Sequence, residues 1–470
     1  MNPGLSLCVT VCCLALVGCS FEPDYVRPAL PVAPSWRAGS SADHESPTDL
    51  QWQSVFQGAY LQTLISTALD NNRDLRIAVN RMDEARAQFQ IQRADVYPNL
   101  SLAAQAQRQR VSKADAPYGG SGVAEHGQLG LSLNAYELDL WGRLRNLKGA
   151  ANELYTASVE EALSVKSTLI AQVAQAYFEA LASVELERES DESLAIARRS
   201  HALVSQRRLL GVSSQLEVQQ AQSLVLSAEA EQASVLRQRN VAFNQLEFLV
   251  GTRVDQSRLQ AGSLDDAGVI ASIAPGLPSA LLVRRPDIRA QEARLKASNA
   301  NIGAARAAFL PKISLTGLLG FSSPQLSALT LGNARSWSFT PDLQLPIFDA
   351  GRNVAQLDLA WAQHKTAISE YEKTIQSAFH EVADALDSSK AIAAELDAER
   401  QWAANESQRT ELAELLYRDG VNSYLDVLDA QRQWRTAQQN LIKTRLLQLT
   451  NRISLYKGLG GGWTEAGSIQ

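Results

Sequence analysis

Two hydrophobic periods divide this chain. At positions 354, 357, 361, 368, 371, 375, 378, 382 and 385 the residues are apolar or small, and His364 fills the one remaining place in the series. Steps of three and four alternate, which keeps one seam turned toward a neighbouring helix and predicts a coiled-coil-type helix. The stretch runs without Pro or Gly from 352 to 419, and its counterpart runs from 143 to 210. At 1.5 Å per residue each is a rod of roughly 100 Å. After Pro98 and Pro311 the period falls to two. Trp337, Phe339, Leu343, Leu345 and Ile347 share one face of 336–347, with Ser338, Thr340, Asp342 and Gln344 on the other. Leu129, Leu131 and Leu133 alternate within 128–140, the run from Ile313 fits the same pattern, and 99–110 alternates weakly. Alternation predicts strands with different solvents on their two sides, and segments of about ten such residues suit strands that cross an outer membrane. Pro98, Pro311 and Pro346 stand at helix–strand junctions, where a fixed φ and a missing N–H end one element and start the next. Pro341 falls inside a strand and removes a ladder donor. A lone pair of hairpins has too little core to stand by itself, and a bilayer admits strands only in a closed barrel. Four strands per chain cannot close around a lumen, so the barrel must be shared among chains; a trimer supplies twelve.

The pattern occurs twice. Asp74 in Asn72-Arg-Asp-Leu-Arg pairs with Asp287 in Arg285-Pro-Asp-Ile-Arg at an offset of 213 (287 minus 74), and Pro98 pairs with Pro311 at the same offset. Trp141-Gly-Arg pairs with Ala350-Gly-Arg, and Leu210-Gly-Val-Ser-Ser with Asp419-Gly-Val-Asn-Ser, both at 209. Four matches in one order mean a duplicated unit of about 210 residues, each half reading helix, strand, strand, long helix, helix.

Composition enters chiefly through the cysteines. Cys8, Cys12, Cys13 and Cys19 all lie in or at the end of the apolar run that begins at Leu5. That run is too short to span a bilayer and has the length of a signal-peptide core. Leu16-Val-Gly-Cys-Ser resembles a bacterial lipobox, which makes 1–18 a signal peptide and Cys19 the lipid-modified first residue of the mature chain. A metal or redox cysteine pair is disfavoured by the lack of His or acidic neighbours. The leader Met1-Asn-Pro-Gly carries no Lys or Arg. Ser20 after the cysteine resembles lipoproteins sent to the outer membrane, and 19–50, rich in Pro, Ser and Asp, reads as a lipidated extended tether. No thiol remains beyond Cys19, so stability rests on packing.

A mean hydropathy of -0.16 leaves no room for several apolar helical spans. Lys+Arg 44 against Asp+Glu 50 gives a net charge of -6 and excludes a basic surface for nucleic acid. His44, His126, His201, His364 and His380 are scattered without metal-ligand spacing, and there is neither a phosphate-binding glycine loop nor a nucleophile motif. The reading is therefore of a protein with no cofactor and no enzymatic chemistry.

The strings Arg284-Arg-Pro-Asp-Ile-Arg, Ala308-Phe-Leu-Pro-Lys-Ile-Ser, Leu345-Pro-Ile-Phe-Asp-Ala-Gly-Arg, Tyr417-Arg-Asp-Gly-Val-Asn-Ser-Tyr-Leu-Asp-Val-Leu-Asp and Leu455-Tyr-Lys-Gly-Leu-Gly occur in one order. They resemble the outer-membrane factors of the TolC/OprM type, in the lipoprotein branch of NodT-like efflux channels. The resemblance covers essentially the whole mature chain: a first repeat at 51–260, a second at 261–457 and a tail at 458–470. It implies a mixed α and β fold, with a long coiled-coil α-helical barrel and a transmembrane β-barrel shared by a homotrimer. It also implies a periplasmic adaptor (membrane fusion) protein, an inner-membrane transporter of the RND type, contact with outer-membrane lipid, and small-molecule efflux as the function. A duct for type I protein secretion and a non-conducting, lipid-anchored coiled-coil spacer are the competing readings; the spacer explains neither the alternating segments nor the duplication.

The helix turns are the expected periplasmic tip and the expected adaptor contacts: Gly211, Val212 and Ser213 in one, Gly420, Val421, Asn422 and Ser423 in the other. Gly211 and Gly420 suit left-handed helix ends, and Ser213, Ser214 or Ser423 suit caps. Asp426 and Asp429 match the family's aperture acids. The residues alone favour acids that merely suit a helix N-terminus; the family position reverses this and implies, in a trimer, two rings of carboxylates that raise one another's pKa. Tyr417 matches a position that holds the tip shut. Asn422 stands where the TolC type has an arginine, so closure falls to hydrogen bonds or apolar constriction. Glu217 and Gln220 occupy the first-repeat places of Asp426 and Asp429.

Overall fold

The structure is a computed structural model that describes residues 20–32, 51–111, 122–265, 268, 284–329 and 333–461. The signal peptide, Cys19, His44 and the tail beyond 461 lie outside the described residues, as does 33–50 of the tether. The helices are α1 (Trp52–Val55), α2 (Ala59–Asn71), α3 (Arg73–Ala94), α4 (Arg143–Leu209), α5 (Gln215–Val250), α6 (Gln256–Ala261), α7 (Pro286–Ala307), α8 (Arg352–Arg418) and α9 (Tyr424–Gly458). The strands are β1 (Leu100–Val111), β2 (Gly122–Glu137), β3 (Lys312–Ser323) and β4 (Arg335–Gln344). Two compact units divide the chain, one built from Met1–Ala29, Arg81–Val159 and Ala290–Glu372, the other from Leu30–Asn80, Glu160–Arg289 and Lys373–Gln470. Each draws on both halves of the sequence.

The first unit holds an antiparallel sheet in the order β1-β2-β3-β4. Its registers line up Leu102, Leu131, Leu319 and Trp337 across all four strands, beside the row Leu100, Leu133, Gly317 and Phe339. Because side chains alternate across the pleat, Ser101, Ser132, Leu318 and Ser338 form the next row on the opposite face. Leu102 is 73% exposed, Leu319 66% and Trp337 76%, so the apolar face has no core of its own to cover within the chain. Gly130 pairs with Gly320 across β2 and β3, and a Cβ on Gly130 would stand 2.6 Å from the Leu319 carbonyl oxygen.

Pairing corrects the strand ends expected from alternation. β1, with its weak pattern, is a 12-residue strand because β2 pairs with it along its whole length. The alternation of 128–140 is interrupted by a bulge between Leu133 and Tyr136, where Ala135 has φ 45, and β2 ends at Glu137. β4 ends at Gln344 because its partner β3 begins at Lys312; Leu345 and Ile347 lie beyond the ladder, not on its face. Pro341 pairs with Leu315 on β4, an edge strand of the single chain's sheet.

In the same unit, the described start of the tether is bound, not free. The Ser20 hydroxyl donates to the Asn146 side-chain oxygen at 3.1 Å, the Asn299 amide to the Pro23 carbonyl at 2.7 Å, and Arg306 to the Phe21 carbonyl at 3.2 Å. Arg27 donates twice to the buried carboxylate of Glu292, at 3.2 and 2.6 Å, and the Tyr25 hydroxyl donates to it at 3.3 Å. Gly303 admits the strap: a Cβ there would lie 2.8 Å from Glu22 Cα.

The long helices form where the seam predicts, 67 residues each. On α8 the buried positions step by threes and fours through Tyr371, Ile375, Ala378, Val382 and Ala385, and again through Ala403, Glu406, Thr410, Ala413 and Tyr417. The earlier seam residue Val354 is exposed. In the second unit the Arg-Pro-Asp motif acquires a structural reason. Buried Arg285 donates to Asp287 at 3.0 and 2.7 Å, to Glu381 at 2.9 Å and to the Gly458 carbonyl at 3.0 Å. It thereby fastens the start of α7 to α8 and to the end of α9.

Candidate functional site: the helix turns

Both turns that reverse the long helices are built alike, and both lie in the second unit. Gly211 has φ 79 and Gly420 φ 77, and a Cβ at either would meet open space. The left-handed backbone alone selects glycine there. The Val212 N–H donates to the Arg207 carbonyl at 3.0 Å, and the Val421 N–H to the Leu416 carbonyl at 2.9 Å, closing the two helix ends in the same way.

The next helices are capped by different partners. Ser214 accepts the Glu217 N–H at 3.2 Å, and the Glu217 carboxylate accepts the Ser214 N–H at 2.8 Å, a reciprocal capping box. Asp426 does the equivalent work on α9, accepting the Ser423 N–H at 3.2 Å and its hydroxyl at 2.9 Å. Ser213 is not a cap: its hydroxyl is buried 3.4 Å from that of Tyr417.

Tyr417 is fixed on several sides. Its ring centre lies 5.3 Å from that of Tyr424, tilted by 53°, and the Arg207 guanidinium sits 4.7 Å above the ring. Arg207 also reaches the Tyr417 and Arg418 carbonyls, each at 3.4 Å. The Tyr424 hydroxyl lies 2.8 Å from that of Ser200, and burial pushes its pKa up. Val204, Ala221, Ala413, Val427 and Ala430 complete one core with the two tyrosines, so turns from both repeats share it. Asn422 contributes its backbone, donating to the Leu416 carbonyl at 3.3 Å.

Asp429 is held between two arginines. Arg409 of α8 bonds one carboxylate oxygen, and Arg432 of α9 donates to the other at 3.1 Å; Arg409 also pairs with Glu406 at 3.1 Å. The Arg409 bond, followed by Arg432, holds the Asp429 carboxyl below the usual range of an aspartic acid. That is the opposite direction from the one carboxylate crowding in a trimer would give. Gln220, Asp426, Asp429 and Arg432 line a groove of about 600 Å³ between α5 and α9. Arg207, Arg409, Arg432 and Tyr424 are the residues that sequence reasoning missed.

Among the described residues no cluster of His, Cys, Asp and Glu could hold a metal ion. His364 lies 3.0 Å from the Ser298 hydroxyl, and His380 pairs with Asp384 at 3.3 Å. Among the same residues no helix is long and apolar enough to cross a membrane.

The outer membrane efflux protein family model matches residues 64–252 and 277–461. The chain belongs to this family. The starts of the two matches differ by 213 (277 minus 64) and their ends by 209 (461 minus 252), the offsets of the internal repeat. Over 473 residues the chain is 43% identical to outer membrane protein OprJ of Pseudomonas aeruginosa, covering 100% of this chain and 98% of the relative. It is 42% identical to the toluene efflux pump outer membrane protein TtgC of Pseudomonas putida, covering 98% and 96%. A crystal structure of a membrane protein from Pseudomonas aeruginosa superposes with a TM-score of 0.88 at 43% identity, over 94% of this chain and 100% of that one. The fold is that of the outer-membrane channels, long helices with a four-stranded antiparallel sheet, and this family member is an efflux channel protein of the outer membrane, a duct family and not an enzyme family.

Proposed function

We propose that three copies of the chain form the outer-membrane duct of a tripartite efflux system, gated at the α4–α5 and α8–α9 turns. The observation that carries this reading is the sheet: apolar on an exposed face, serine- and glycine-rich on the other, with β1 and β4 both at open edges. Closing edge on edge with two further copies gives twelve strands around a polar lumen, with lipid on the leucine and tryptophan face. A non-conducting coiled-coil spacer has no use for such a sheet. Acylation of Cys19 would add a lipid anchor next to the bound strap.

The exposed turn residues Leu210, Val212 and Val421 support docking of a periplasmic adaptor, and through it an inner-membrane transporter of the RND type. Relatives named for toluene, solvent and antibiotic efflux support small toxic molecules as cargo over secreted protein. The duct performs no chemistry of its own; the transporter supplies the energy. Gly211, Ser213, Gly420, Asn422 and Ser423 shape the contact turns. Tyr417, Glu217, Gln220, Asp426 and Asp429 form the gate, whose closure rests on the Tyr417–Arg207 stack and the Asp429–Arg409 tie. Purified protein in planar bilayers tests the reading: trimeric mass and cation-selective conductance are expected, and a monomer without conductance overturns it.

A further inference from the structure

Away from the turns, three helices of the second unit meet around an acid pair. The Gln439 amide of α9 donates to the Glu189 carboxylate of α4 at 3.3 Å and, through the same nitrogen, to Glu231 of α5. One amide nitrogen has two N–H bonds, so both carboxylates can be held at once. Arg435, one turn earlier on α9, pairs with Glu231 at 3.0 Å and is largely buried.

The charge count does not close. Two carboxylates face one guanidinium, and Glu192 on α4 adds a further negative charge. The next groups along are committed elsewhere: Arg239 pairs with Glu187 at 2.6 Å, and the Gln232 amide donates to Asp191 at 2.6 Å. An amide donates a hydrogen bond but neutralises nothing, and Glu189, Glu231 and Gln439 are half-buried. A proton on one acid would remove one of the unmatched charges. Burial is the first cause that pushes the Glu189 carboxyl up, to about 7. Glu231 and Glu192 add to the rise, and Gln439 and Arg435 oppose it.

We propose that Glu189, Glu231 and Gln439 form a proton-dependent clasp that fastens α9 to the α4–α5 hairpin while Glu189 is protonated and slackens when it ionises. Ionised Glu189 repels Glu231 across the amide that bridges them. The sign follows from linkage. With the folded pKa raised above 4.5, the clasp is fully present below 4.5 and is lost as pH rises through about 7. The clasp joins helices of the first repeat to the helix whose first turns carry Asp426 and Asp429, about three turns away. It stands whether or not those acids are a gate.

Hydrogen exchange of the full-length protein in detergent, corrected for intrinsic rates, tests this between about pH 5 and about pH 8. In the wild type, peptides around Glu189, Glu231 and Gln439 should exchange about tenfold faster at the upper end, while peptides of the sheet stay unchanged. Glu189→Gln, which matches the shape of the protonated acid, should keep the slow exchange throughout and lose the pH dependence. Glu231→Gln should move the transition to lower pH. A flat wild-type profile, or a Glu189→Gln variant with the wild-type profile, overturns the proposal. Both outcomes are independent of whether the protein conducts.

Discussion

Neutralising Asp429 separates what the acid contributes to stability from what it contributes to conduction. Asp429 is 37% exposed and Arg409 43%, so solvent screens their attraction, and the tie is worth about 0.2–1 kcal/mol, as for other exposed ion pairs. It nevertheless joins α8 to α9, whereas the Arg432 bond stays within α9. Taking about 0.5 kcal/mol per tie and three ties in a trimer gives ~1.5 kcal/mol, close to tenfold in the balance of closed and open states. Asp429→Asn should therefore raise open probability about tenfold in single-channel recordings while the unfolding midpoint barely moves. Charge changes too. Glu406, Asp426 and Asp429 against Arg409 and Arg432 sum to -1 per chain (two minus three), and the substitution brings this to zero, so cation selectivity should weaken. The pH dependence is fixed by the direction of the shift. A folded pKa depressed below 3.8 leaves the tie intact above that value and loses it only as pH falls through the lower, folded value. The open probability of the wild type should thus be indifferent to Asp429 titration near neutral pH. Arg409→Gln and the double variant complete a cycle. If the effects of the two single substitutions simply add, Arg409 and Asp429 do not act as a pair and the reasoning fails.

Two further substitutions probe the packing that positions the turns. Arg285→Met removes the donor shared by Asp287, Glu381 and the Gly458 carbonyl and should destabilise the fold by about 3 kcal/mol in denaturant unfolding, since the carboxylates it abandons are partly solvated; Arg285→Lys, without the planar fork, should recover only part of the loss. Gly303→Val places carbon against the Glu22 backbone and should release residues 20–27, seen as loss of hydrogen-exchange protection in that segment with α7 still protected; unchanged protection would show that the strap does not depend on this contact.

The long helices were legible because a three-four seam is a local signal, and α8 ends at Arg418 where 419 was expected. Gly211 and Gly420 were legible for a related reason: a left-handed residue at a helix end has few candidates. Strand ends were not, because a ladder stops where its partner stops. Leu345 and Ile347 continue the alternation of β4 after β3 has no residue left to offer. The arginines of the turns escaped notice because nothing near them in sequence announces their partners. Arg207 is 210 residues from Tyr417 and meets it only because the duplicated hairpins pack together. The bound strap was hidden likewise, since Glu292 lies 265 residues from Arg27.

Duplication also sorts the two acids that sequence alone left equivalent. Glu217 and Asp426 stand 209 apart (426 minus 217), and each accepts the backbone N–H of the serine three residues before it. A role present in both repeats, only one of which carries the acid pair, is a role in building the turn. The next position differs: Gln220 in the first repeat, Asp429 in the second. Only Asp429 reaches back across the turn to the preceding long helix, through Arg409. Asp426 therefore caps its helix in addition to any part in the gate, and an effect on the closed state should be larger at Asp429. Removing the carboxylate at 426 should act as the loss of a cap does, costing about 1 kcal/mol in the stability of α9, with a smaller change in open probability than at 429. Equal gating effects at the two positions would restore the picture of two equivalent acid rings.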